Sequence, residues 1–377
     1  MNTTAFLRLV LAAACVASSR GSLRGSTVPA TAETPASDTN ANANEDHENS
    51  VDNKDNRDDA PEFAFDEQRH RHLEPGETCN LVLRAVEHGP DVEHSDPYNT
   101  QEWGCILKGT DSKVRFVDIV NQSAGSPIFA EAVSGKSVLV ASEAIVDTIE
   151  PKMYIPRHAS VELQEEPRNG LNEERRVDED NEPVDRVMNA LVVRVSAKDS
   201  SPQQNVKKLQ NDVFLDDHCL SSQFEACSYG KLKINPYEAP GVDGGVVEVA
   251  LDYNLADNDL RGVLQSAAYE AATEKVGNLM DDKFDLVLFC MPPGTGSWMA
   301  YAFVGTKFSF YNDKWCSYVS AHLHEVGHNL GLAHSGQHEE SEYSDQSGAM
   351  GFSYGLDDQQ ICFNPAKNYQ LGWYKDK

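Results

Sequence analysis

The run His324-Glu-Val-Gly-His-Asn-Leu-Gly-Leu-Ala-His334 leaves this chain little freedom in its local structure. His324 and His328 are four residues apart, a spacing that puts both rings on one face of a helix, where they can share a metal ion. Glu325 follows the first histidine and is not needed as a ligand, so it can act as a base toward water. Gly331 can adopt a left-handed backbone at no steric cost, which lets the helix stop and the chain turn. That turn predicts His334 as the third ligand. Three neutral imidazoles leave a fourth position open, the arrangement of a catalytic rather than a structural Zn2+ site. His322 has no partner at the right offset and His338 falls in a polar loop, so both read as bystanders.

A pair of histidines around Glu325 arises by chance in helices; a glycine and a third histidine at fixed offsets make coincidence remote. The downstream loop Tyr343-Ser-Asp-Gln-Ser-Gly-Ala-Met350-Gly351 adds a methionine that would pack under the histidines as an apolar floor without ligating. Helix and methionine turn together resemble the metzincin signature. The likeness becomes closer in Cys227-Ser-Tyr-Gly-Lys-Leu, in Tyr343 and Asp345 before the Met350-Gly351 turn, and in Cys362-Phe-Asn-Pro-Ala-Lys with Leu371-Gly-Trp373. Over about Val187 to Tyr374 the chain resembles the gametolysin family of metzincin peptidases.

That resemblance implies an α/β (α+β) metzincin-like catalytic domain with a twisted mixed sheet and an active-site helix. It also implies zinc-dependent endopeptidase activity on proteins or peptides such as extracellular-matrix or cell-wall glycoproteins. Metzincins often carry a tyrosine two residues after the turn methionine, where this chain has Phe352. Tyr354, two further on, is the candidate transition-state stabiliser. No cysteine-switch motif stands in the N-terminal half, and if a thiol inhibits the metal it would be that of Cys79 or Cys105.

The rest of the chain divides by texture. Leu9 to Ala17 is a nine-residue apolar run followed by small residues, the pattern of a signal peptide over residues 1–19 and too short to span a bilayer. Residues 20–75 are polar and acidic, with eleven acids and two bases between Ser37 and Gln68, and read as disordered. Residues 76–160 carry short β-branched runs around Leu81, Val114 and Val138 and read as a small β-rich prodomain. An acidic linker follows over 161–186, with the dibasic pair Arg175-Arg176 as a candidate processing point.

From 187 to 377 the pattern is α/β. Strands are predicted at Ala190–Val195, Lys231–Ile234, Gly245–Leu251, Phe284–Cys290 and Trp298–Val304. Helical spacing runs from Asn205 to Phe214 and along Leu260, Val263, Leu264, Ala267, Ala268 and Ala271. The strand Trp298–Val304 is the predicted edge against which an extended substrate would pair.

A net charge of -28 argues against nucleic acid and anionic membrane surfaces as partners. Of eight cysteines, Cys15 goes with the signal. The remaining seven lack close pairs of the metal-binding kind and suit disulfides in a secreted protein, with Cys79 and Cys105 a plausible pair and one thiol left over. The rival readings are a secreted metal-binding or cell-wall protein without peptidase activity, which a fourth protein ligand at the metal would favour, a different metal, or a hydrolase of non-peptide bonds.

Overall fold

Runs of β-branched and aromatic residues set the strands, and three amphipathic or fully apolar stretches set the main helices. In the computed structural model the described residues are 63–88, 101–109, 113–141, 143–165, 186–256, 261–336, 342–351 and 360–375. The predicted signal peptide, most of both acidic segments, Arg175-Arg176, His338, Phe352 and Tyr354 lie outside them.

The N-terminal strands are β1 (His70–His72), β2 (Thr78–His88), β3 (Gln101–Lys108), β4 (Val114–Ile119), β5 (Ser137–Ala141), β6 (Ile145–Asp147), β7 (Lys152–Tyr154) and β8 (Val161–Glu165). Two of these run into segments read from sequence as unstructured. β1 pairs with β6, and β8 pairs with β5 along its whole length, so tertiary pairing overrides a composition that would not hold a strand alone. Val82, Ile106 and Phe116 point into a core shared with the C-terminal half, whereas Leu81, Cys105, Leu107 and Val117 fill a separate one.

The C-terminal half runs β9 (Arg186–Ser196), α1 (Val206–Gln210), α2 (Leu220–Cys227), β10 (Leu232–Pro236), β11 (Val246–Ala250), α3 (Arg261–Val276), β12 (Leu286–Met291), β13 (Trp298–Phe303), β14 (Phe308–Asn312), α4 (Val319–Asn329) and α5 (Pro365–Gln370). Strands β10 and β11 both pair in parallel with β9, β9 with β12, and β12 with β14; β13 is antiparallel to β14. The result is a mixed α/β fold with one large mixed sheet and few helices.

β12 shows why the sheet sits where it does. All six of its residues are buried, as a parallel strand covered on both faces requires. Val287, Phe289 and Met291 face the core containing Leu264 and Ala268 of α3, while Leu286, Leu288 and Cys290 face the core containing Ala321, Leu323 and Val326 of α4. The sheet therefore carries α4 flat on one face, at the level of β13 and β14.

One sequence expectation fails here. β13 is not a free edge: β14 takes one side and β2 the other, with Ala300, Tyr301, Ala302 and Phe303 opposite Glu87, Val86, Ala85 and Arg84. The cysteines pair as Cys79–Cys105, Cys227–Cys362 and Cys290–Cys316, and Cys219 is a buried free thiol. With Cys79 and Cys105 bonded to each other, neither offers a thiol to a metal, which removes them as candidate thiol inhibitors.

Candidate metal centre

All eleven residues of α4 are buried, although the helix carries His322, His324, Glu325 and His328. Burying so many polar groups is costly unless each finds a partner, and the histidines show how this is met. Gly331, at φ +88°, ends the helix in a left-handed turn: its N–H bonds the carbonyl of His328 at 2.8 Å and that of Leu332 bonds Gly327 at 3.0 Å. The chain reverses there and brings His334 back against the helix. The Met350 backbone carbonyl then accepts from the N–H of Ser335 at 2.7 Å, which fixes the methionine loop beside His334. Met350 itself has no exposed surface and lies against Gly327 and Phe363.

The three rings are oriented from behind. Nδ1 of His324 faces the carbonyl of Ala349 at 2.6 Å, Nδ1 of His328 that of Leu332 at 2.8 Å, and Nδ1 of His334 the carboxylate of Glu342 at 2.8 Å. Carbonyls and carboxylates only accept, so each Nδ1 carries a hydrogen and each ring turns its Nε2 inward. The Nε2 atoms of His328 and His334 are 3.0 Å apart. The Oε1 atom of Glu87, on β2, lies 2.9 Å from His334 Nε2 and 3.3 Å from His324 Nε2. Tyr343 donates its hydroxyl to that same Oε1 at 2.9 Å and packs its ring on His334.

Converging lone pairs and a carboxylate call for a cation at their centre. Burial opposes charge on His334, but the Glu342 and Glu87 carboxylates outweigh it and push its pKa up to about 9, so in the absence of metal a proton fills that role. His328 is held neutral by burial and by its two histidine neighbours. Burial also opposes charge on Glu87, yet His324 and His334 hold its carboxyl well below the usual range. Nitrogens about 2.0–2.1 Å from a tetrahedral zinc ion would be about 3.3–3.4 Å apart; the His328 and His334 Nε2 atoms are 3.0 Å apart, and the ligand-type atoms of the cluster all lie within 4.8 Å of one another. Glu87, His324, His328 and His334 thus form a buried cluster that could hold a metal ion.

Glu325 stands apart from this set. Its two oxygens are buried with no hydrogen-bond partner among the described residues, and burial, then the nearby Glu87 charge, push its carboxyl well above the usual range. His322 packs edge-on against Tyr311, with burial lowering its pKa to about 4, in keeping with a neutral core ring.

Sequence reasoning brought His324, His328, His334, Glu325 and Met350 to one place, and the structure assembles them there. It missed Glu87 and Glu342 and gave Tyr343 no role. Glu342 lies eight residues past His334 with no periodic relation to it, and Glu87 lies on a strand of the other half; neither position carries a local signal. Glu342→Gln should keep the fold and weaken metal affinity by about 10–100-fold, because the amide supports the His334 ring less firmly than the carboxylate. Competition with a chromophoric chelator measures this, and unchanged affinity would remove Glu342 from the site.

Residues 191–376 match the profile of the family described as gametolysin peptidase M11. No curated protein matches the chain.

Proposed function

Through residues 191–376 the chain belongs to the gametolysin peptidase family, a family of metallopeptidases acting on proteins, and from that premise we propose a secreted zinc-dependent endopeptidase of metzincin fold. In this reading His324, His328 and His334 hold the metal, Glu325 is the general base, and residues 76–160 are a prodomain joined through the acidic linker 161–186 to the catalytic domain 187–377. The observation that carries it is Glu325: a buried carboxyl group without a hydrogen-bond partner among the described residues, directly after a ligand-type histidine. A site that only stabilised the fold would gain nothing from it.

A bound Zn2+ would supply Lewis-acid chemistry, polarising a peptide carbonyl and lowering the pKa of water to about 7. Glu325 takes a proton from the attacking water and passes it to the departing amine. Ala349, Leu332 and Glu342 hold the three imidazoles so that their Nε2 atoms stay turned inward. Met350 closes the floor beneath them, and Tyr354, outside the described residues, is the candidate donor to the developing oxyanion.

Three disulfides support an oxidising compartment, and no helix among the described residues is long and apolar enough to cross a membrane. Together with the apolar run Leu9–Ala17 they support secretion. Extracellular-matrix or cell-wall glycoproteins are the substrates this location and family favour.

Glu325→Gln is the test, made on chain cut within residues 166–185. Casein hydrolysis should fall by at least about 100-fold while one equivalent of zinc stays bound. Retained hydrolysis would end the proposal. A second reading, a metal-binding protein without peptidase activity, is favoured by one observation: Glu87 stands with the three histidines in the cluster that could hold a metal ion. On that reading neither cut nor uncut chain hydrolyses casein.

A further inference from the structure

The catalytic groups are sealed. His324, Glu325 and His328 have no exposed surface, and Glu87 is only 4% exposed. β2, which comes from outside the family-matched residues, lies beside them and contributes Glu87 to the cluster. It runs antiparallel along β13 in register from Phe303 opposite Arg84 to Ala300 opposite Glu87, then shifts register before Trp298. An extended polypeptide crossing the metal centre would need this same ladder. At the register shift the side chain of Glu87 enters the histidine cluster, and the Tyr343 hydroxyl steadies the oxygen that points there.

The covalent links divide at the same boundary. Cys79–Cys105 lies wholly before residue 166, and Cys227–Cys362 and Cys290–Cys316 lie wholly after residue 185. A cut between those limits would leave no disulfide among the described residues holding β2 to β13.

We propose that Glu87 is the fourth ligand of the metal and that β2 occupies the substrate's ladder on β13, so that the intact chain is latent and becomes active when β2 leaves. The inference rests on the metallopeptidase reading above. Displacement exchanges one carboxylate oxygen for one water oxygen at the metal; no redox step or other bond change is involved. Because Glu87 lies on the N-terminal side of the cut and all three histidines on the other, the metal stays with the catalytic half.

The experiment loads the full chain with Co2+ and reads its visible absorption bands, which report the ligand set independently of turnover. Glu87→Ala should shift the bands relative to wild type while one equivalent of cobalt is retained, because water replaces a carboxylate. Glu87→Gln provides a near-isosteric second variant should the alanine fail to fold. Cutting the wild-type chain within residues 166–185 and separating the fragments should produce a similar shift, make the cobalt accessible to acetohydroxamate, and start casein hydrolysis. Identical bands in wild type, variants and cut chain would overturn the assignment of Glu87. Casein hydrolysis by intact wild type at the rate of the cut chain would overturn latency. Failure of every form to bind one equivalent of metal, or of the cut form to hydrolyse casein, would count against the metallopeptidase reading instead.

Discussion

His328→Ala should cost the cut chain its stoichiometric metal and its peptidase activity together. His328 is held neutral by burial and by His334 and His324, and its Nε2 is 3.0 Å from that of His334. Its Nδ1 also ties the left-handed turn through the Leu332 carbonyl at 2.8 Å, so the substitution loosens the return of His334 as well as removing a ligand. Elemental analysis should find well under half an equivalent of zinc, and hydrolysis should fall by at least about 1,000-fold, as members of one catalytic set do when deleted singly. Full metal content in the variant would place the ion elsewhere in the molecule.

The second large effect belongs to Gly327, between the ligands on α4. Alanine in a helix is ordinarily favoured over glycine by about 1 kcal/mol. Here the sign should reverse. A methyl group on Gly327 would collide with Met350 Sδ and come within 3.0 Å of the Phe363 ring. Neither neighbour has room to retreat, since Met350 has no exposed surface and Phe363 is 4% exposed. Gly327→Ala should therefore destabilise the protein by about 1–3 kcal/mol, the range of overpacked cores. Thermal unfolding should show a lowered midpoint, and adding Met350→Ala should recover part of the loss relative to the sum of the two single changes. A rise in midpoint for Gly327→Ala would show that the methionine does not press on the helix.

The parts of this site that were legible in the sequence are those that lie on one local element. His324, Glu325 and His328 share a helix whose period fixes their relative direction, and Gly331 marks the turn that returns His334. Met350 could be placed only through its likeness to a known pattern. Glu87 was illegible because its role depends on a strand pairing between residues more than two hundred positions apart. The same limit explains the misreading of β13: its apolar sequence is that of a strand beside a site, and whether its outer ladder is free depends on another part of the chain. β3 escaped notice because Gly104 interrupts its apolar run; a side chain there would strike the carbonyl of Val117, so the residue that obscures the strand also permits its packing against β4.

The disposition of β13 bears on how such a protein can be made. Every residue of this strand is buried, and without β2 its six apolar or aromatic side chains would border a bare row of amide and carbonyl groups. Margins of that kind invite other chains to add to them, with aggregation as the usual outcome. In the intact chain β2 covers that margin. Residues 187–377 produced without the N-terminal strands should precipitate more readily than the full chain.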